Sequence, residues 1–171
     1  MVVLRATQKL LTGLPVPDDA VQESDTALGD WYVNRLVVDR QPLLLLLSSR
    51  SLLPVIVPAR DVRSLPKQLP NLIAARLLRL GVPNHLVAAE FAAMTPVLIS
   101  RTVSRSVVGI MVDFAKLIPL HLEPGGWDEN TLSHVEAQLA RTPCHASKRD
   151  DQVIWPDRDT PTLLAARWHA A

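Results

Sequence analysis

Apolar residues in this chain gather first into short runs and later into stripes of helical period. Val2–Ala6 predicts an N-terminal strand, followed by a short helix over Gln8–Leu11. Residues 42–48 and 52–57 are apolar runs separated by Ser49-Arg50-Ser51, the spacing of a hairpin with a loop of a few residues. Neither run alternates with polar residues, which predicts strands covered on both faces. Pro54 lacks an N–H, so it belongs at a bulge or with its nitrogen turned away from the partner strand. Residues 96–101 form another β-type run. The segment 27–38 reads as extended because of Trp31, Tyr32 and its valines, with a helix capped by Asp30 as the alternative. In a strand Trp31 and Tyr32 point to opposite faces, which would put one of them in the core.

The helical stripes are longer. Leu69, Leu72, Ile73, Leu77 and Leu80 predict a helix over 69–80, with Gly81 as a left-handed cap and Pro83 preventing continuation. Asn84 is placed to cap a second helix over 86–94. Over 104–118, Val107, Ile110, Met111, Phe114, Leu117 and Ile118 share one broad face. The opposite face is small and polar: Ser106, Gly109, Asp113 and Lys116. Pro119 and Pro124-Gly125-Gly126 end this unit, and Leu132, Val135 and Leu139 mark another amphipathic helix over 128–141. Residues 142–158 read as a polar loop, and Thr160-Pro161 as the cap and first position of a C-terminal helix over 160–170. Strands and helices mix without regular alternation and without a repeat of 20–50 residues. The expected architecture is one α+β domain over 1–171, a small, mostly antiparallel sheet with a central hairpin, covered by about four to six helices.

Composition sharpens this picture. With 48% hydrophobic residues but only 4% aromatics, the core must be built from Leu, Val, Ile and Ala. The longest purely apolar run, 43–47, is far shorter than the roughly 20 residues that cross a bilayer, and no secretory leader pattern follows Met1. One cysteine, Cys144, cannot form an internal disulfide. A cytoplasmic protein is expected. Charge is segregated: 13–34 carries five acidic residues and no Lys or Arg, whereas 60–106 carries seven basic residues against two acidic. Mutual neutralisation or simple solvation explains this best. A basic surface for nucleic acid is the less favoured reading, because aromatics do not interleave with the basic positions.

Several chemistries find no footing. The six glycines form neither a P-loop nor a dinucleotide-binding fingerprint, and there is no Gly-x-Ser-x-Gly elbow. Adjacent Cys144 and His145 are poorly placed to act as nucleophile and base, and read as a loop pair. The five histidines are scattered, so no metal or cofactor is expected. The junction near 101–106 is different. Ser104 and Ser106 supply hydroxyls, Arg101 and Arg105 supply guanidinium forks, and a helix start presents free N–H groups to an anion. The structural alternative is an ordinary cap at Thr102 or Ser104, solvated arginines, and Gly109 packed against a neighbour. Asp113 reads first as a partner of Lys116 one turn on, with a base, or a hold for a partner's arginine, as the functional alternative.

Four boxes carry a resemblance: Thr7-Gln8-Lys9-Leu10, Leu28-Gly29-Asp30-Trp31-Tyr32, Leu52-Leu53-Pro54-Val55, and Arg105-Ser106-Val107-Val108-Gly109-Ile110-Met111-Val112-Asp113-Phe114. Together they resemble a bacterial family of uncharacterised proteins, a domain of unknown function. The chain departs from that pattern at Ser104 and Val112, where the resemblance implies asparagines. The resemblance implies kinship and brings no activity, substrate or cofactor. The functional reading is a binding or regulatory module acting through protein–protein contact, using Thr7, Lys9, Asp30, Arg101, Ser104, Arg105, Ser106 and Asp113. A homo-oligomer or a bacterial protein partner would cover the apolar hairpin's edge. The alternative is an enzyme or binder for a phosphate-bearing substrate, nucleotide or nucleic acid, with Asp113 as base. Convergence of these segments into a hollow with Asp113 at its floor would favour the enzyme.

Overall fold

The computed structural model describes residues 1–15, 17, 22–122, 128–145 and 152–169. Five strands, β1 (Val2–Ala6), β2 (Trp31–Val38), β3 (Gln41–Ser48), β4 (Pro54–Pro58) and β5 (Val97–Arg101), form one sheet in the order β4-β3-β2-β1-β5. The pairs β2–β3 and β3–β4 are antiparallel, and β1 runs parallel to both β2 and β5. Among the described residues six α-helices accompany them: α1 (Gln8–Leu11), α2 (Leu65–Leu80), α3 (Asn84–Ala93), α4 (Arg105–Leu117), α5 (Glu129–Ala140) and α6 (Pro156–Trp168). The fold is α+β, as the mixture of runs and stripes predicts. None of these helices is long and apolar enough to cross a membrane.

The unalternating strands have helices on both sides. One face of the sheet, with Val2, Leu4, Trp31, Val33, Leu44 and Leu46, packs against Leu69, Ile73 and Leu77 of α2, and against residues of α3 and α6. The other face, with Tyr32, Leu43, Leu45, Leu47 and Ile56, packs against Val107, Met111 and Phe114 of α4 and Val135 and Leu139 of α5. Trp31 and Tyr32 do part to opposite faces, but both are buried, because each face has its own core. Trp31 carries a cost: its indole N–H is buried without a hydrogen-bond partner among the described residues.

Edge strand β4 is unusual in its donors. Ile56 gives its N–H to the Glu136 carboxylate of α5 at 2.8 Å rather than to β3. Residues two apart on a strand share an orientation, so Pro54 and Pro58 also turn their nitrogens outward, where the missing N–H is harmless. The outward-facing N–H positions of this edge are therefore two prolines and one satisfied amide, which blocks strand-to-strand addition there.

Other boundaries shift for local reasons. α2 starts at Leu65, one turn earlier than its stripe, because Pro66 suits a first helical turn whose amides need no partner. Gly81 closes it at φ 90° as a left-handed cap. Pro83, not Asn84, holds the position before α3, and no side chain caps that helix. α6 begins at Pro156 rather than at Thr160-Pro161; Thr160 lies inside it, buried, bonding Pro156 O at 2.6 Å and Ser51 Oγ at 2.8 Å. Within the expected 142–158 loop, Cys144–His145 and Val153–Ile154 pair as a two-stranded ribbon. The Pro124-Gly125-Gly126 stop and residues 146–151 of that loop lie outside the described residues.

Candidate functional site

Arg5 stands out first, as a charge in the middle of the otherwise apolar β1 and only 6% exposed. A buried guanidinium needs partners, and the sheet register supplies its surroundings: Tyr32 on one side, Ser100 on the other. Its Nε donates to Asp30 Oδ2 at 2.5 Å and its Nη1 to the Arg101 carbonyl at 3.0 Å. The other oxygen of Asp30 accepts from Ser24 N at 3.1 Å and Ser24 Oγ at 2.6 Å, and Ser24 Oγ in turn accepts from Val3 N at 2.8 Å. The carboxylate is thus consumed in knitting β1 to the start of β2.

Around this pair the chain closes in. Gly29 holds φ 75°, and a Cβ there would collide with Ser49 Oγ and meet Arg50 Cγ at 2.9 Å. Only glycine allows the β3–β4 turn to press this close. That turn is tied back by Ser49 N to Asp30 O at 2.8 Å and by Arg50 Nη1 to Thr26 O at 3.1 Å. From the far side, Ser104 gives its N–H to the Tyr32 hydroxyl at 3.0 Å and caps α4 by accepting from Val107 N at 3.3 Å. These segments rim a hollow of about 330 Å³ over Arg5. From below, the buried Glu90 of α3 accepts from Ala27 N, Leu28 N and Trp168 Nε1 at 3.0, 3.1 and 2.7 Å, fixing the loop that delivers Gly29 and Asp30.

A larger hollow of about 410 Å³ lies beside the start of β3, but no buried polar side chain faces it.

The expected site residues divide three ways. Asp30 and Ser104 meet in the hollow over Arg5, whose Nη1 donates to the Arg101 carbonyl. Arg101, Arg105 and Ser106 have exposed side chains nearby, and neither arginine forms an ion pair among the described residues. Thr7, Lys9 and Asp113 lie elsewhere. Thr7 Oγ1 bonds Asn34 Oδ1 at 3.1 Å, Lys9 is exposed on α1, and Asp113 is exposed on α4, nine residues beyond Ser104. Asp113 makes no ion pair with Lys116; its nearest consequence is electrostatic, on Cys144. Gly109 packs against nothing, since a Cβ there would meet open space. Among the described residues, Asp30 of the acidic segment pairs with Arg5, while Arg76 and Arg79 of the basic segment engage Glu136.

A family model described as a domain of unknown function, DUF6933, matches residues 3–159. The chain belongs to the DUF6933 family. No curated protein and no solved structure matches it. The family match spans every residue that lines the hollow, from Arg5 to Val107. Sequence reading missed Arg5, Tyr32, Ser49 and Arg50 as members of this site. The signal for Arg5 was present, because a lone charge inside a buried strand requires a partner. Ser49 and Arg50 carried none, since a polar turn looks the same whether or not it packs on a glycine. Among the described residues no three His, Cys, Asp or Glu side chains group to hold a metal ion.

Proposed function

We propose that this DUF6933 domain is a binding module, engaging its partner around the hollow over Arg5 and the adjoining start of α4. The observation that carries this is the state of Asp30: its buried carboxylate already accepts from Arg5 on one oxygen and from Ser24 on the other, a tie between segments of the fold. Asp113, the base of the enzyme alternative, stands apart from the hollow. Arg101, Arg105 and Ser106 are exposed beside it and supply a polar rim for a protein partner.

A second reading, a phosphate-bearing ligand, is favoured by the same two arginines, which form no ion pairs among the described residues. Thermal shift with peptides, nucleotides, inorganic phosphate and single-stranded nucleic acid tests both. A ligand present at about 100 times its Kd stabilises the fold by roughly 2.7 kcal/mol. Binding that is lost in Arg101→Ala/Arg105→Ala and leaves the ligand chemically intact is expected of a module. Turnover of the bound ligand, followed by mass spectrometry, would overturn it.

A further inference from the structure

We infer that the hollow over Arg5 holds a small carboxylate ligand; this deepens the module reading and rests on it. The floor is rich in unspent donors. Arg5 uses Nε and Nη1, but Nη2 has no acceptor among the described residues. The Tyr32 hydroxyl accepts from Ser104 and keeps its own proton to give. The Ser49 hydroxyl makes no hydrogen bond among the described residues, and all three side chains line the hollow. Arg5 and Tyr32 are 6% and 2% exposed, so their positions are fixed before any ligand arrives. The acceptor on the floor is different: both Asp30 oxygens are occupied. A complementary ligand therefore presents oxygen acceptors.

Charge selects among oxyanions. Arg5 and Arg50 face the hollow together with Asp30 and Glu23, two positive groups against two negative. A monoanion suits that balance, whereas the second charge of phosphate is repelled by both carboxylates. The planar guanidinium of Arg5 matches a carboxylate edge. At about 330 Å³ the space lies near the lower end of ligand pockets, which run from roughly 300 to 1,000 Å³, so a metabolite of a few heavy atoms fits.

Amide-resolved NMR titration of the full chain with acetate, lactate, alanine and inorganic phosphate, at matched ionic strength against a chloride control, reads this out. Saturable shifts at Gly29, Ser49, Arg50 and Ser104 are expected with the carboxylates. Affinity should fall about tenfold or more in Tyr32→Phe and in Ser49→Ala, each of which removes one donor to a charged group. Ser49→Ala keeps the experiment readable should Tyr32→Phe fail to fold, because Ser49 Oγ supports no other described group. Absence of saturable shifts with every carboxylate, tighter binding of phosphate, or equal affinity in wild type and Ser49→Ala would each sink the assignment. The module reading is judged separately, by whether Arg101 and Arg105 are needed for a partner that is left intact.

Discussion

Glu136 is where removal of one charge should be felt most. Its carboxylate is 1% exposed, accepts from Ile56 N at 2.8 Å and from Arg79 Nη2 at 3.0 Å, and lies 3.9 Å from the Nε of Arg76, which is 3% exposed. Burial lowers the Arg76 pKa, and the negative charge of Glu136 opposes that shift while the positive charge of Arg79 adds to it. Glu136→Gln keeps the volume and an acceptor for Ile56, yet leaves Arg76 without its counter-charge. Breaking a buried pair from one side costs about 3–5 kcal/mol, and the lower end applies because Arg76 also donates to Pro54 O at 3.0 Å. Glu136→Ala additionally orphans the Ile56 N–H, a further cost of about 1–3 kcal/mol, and reopens the one donor on the β4 edge. Arg79→Ala should cost under about 1 kcal/mol, because that side chain is 42% exposed. Urea denaturation followed by tryptophan fluorescence measures each as a change in midpoint at constant slope. Light scattering should show concentration-dependent association for Glu136→Ala alone. Glu136→Gln within about 0.5 kcal/mol of wild type, or no dearer than Arg79→Ala, would refute the role given to this carboxylate.

Three smaller perturbations test the surroundings of the hollow. Glu90→Gln turns an amide N–H₂ toward donors that now share a carboxylate, so a loss of about 2 kcal/mol or more is expected, with faster hydrogen exchange at Ala27 and Leu28; unchanged exchange there would remove Glu90 as the loop's anchor. Gly29→Ala forces a left-handed backbone at about 1–2 kcal/mol and adds contact with Ser49, for a total of about 2–4 kcal/mol. Part of that should return in a Ser49→Ala background; equal cost in both backgrounds would show that the close approach is not what glycine permits. Burial first, and the Asp113 charge second, raise the Cys144 thiol from 9.0 to about 11. The unfolded thiol then ionises first, so stability present below pH 9.0 is lost as pH rises toward about 11. Cys144→Ala should flatten that part of the urea midpoint against pH, and an identical slope in both proteins would exclude the thiol as its source.

Most of the fold was readable from period and punctuation. The hairpin of 42–48 and 52–57, the Gly81 cap, and the stripes of α2, α4 and α5 all follow from side-chain spacing, which the backbone geometry of strand and helix dictates directly. The misplaced boundaries share one cause, namely proline. Pro66 and Pro156 start helices earlier than the apolar stripes do, and Thr160-Pro161, a reasonable cap by composition, lies inside α6 because Pro156 already supplies a first turn. Sheet order was not readable. Nothing local says that β1 sits between β2 and β5, since parallel pairing joins residues almost a hundred positions apart through contacts that leave no periodic trace.

That unreadable pairing is what creates the site. Asp30 was singled out from its box and Ser104 from its place before a helix, yet the residue that relates them is Arg5, which bonds Asp30 on one side and the Arg101 carbonyl, three residues before Ser104, on the other. With β1 at the sheet edge instead, the same three segments would carry the same residues and no hollow. Asp113, weighed from sequence as a partner of Lys116 or as a base, lies apart from the hollow for the complementary reason. Helical period leaves it exposed on α4, nine residues beyond Ser104 and about two and a half turns away. Local pattern therefore located the polar residues, while the central position of a charged strand decided which of them share the hollow.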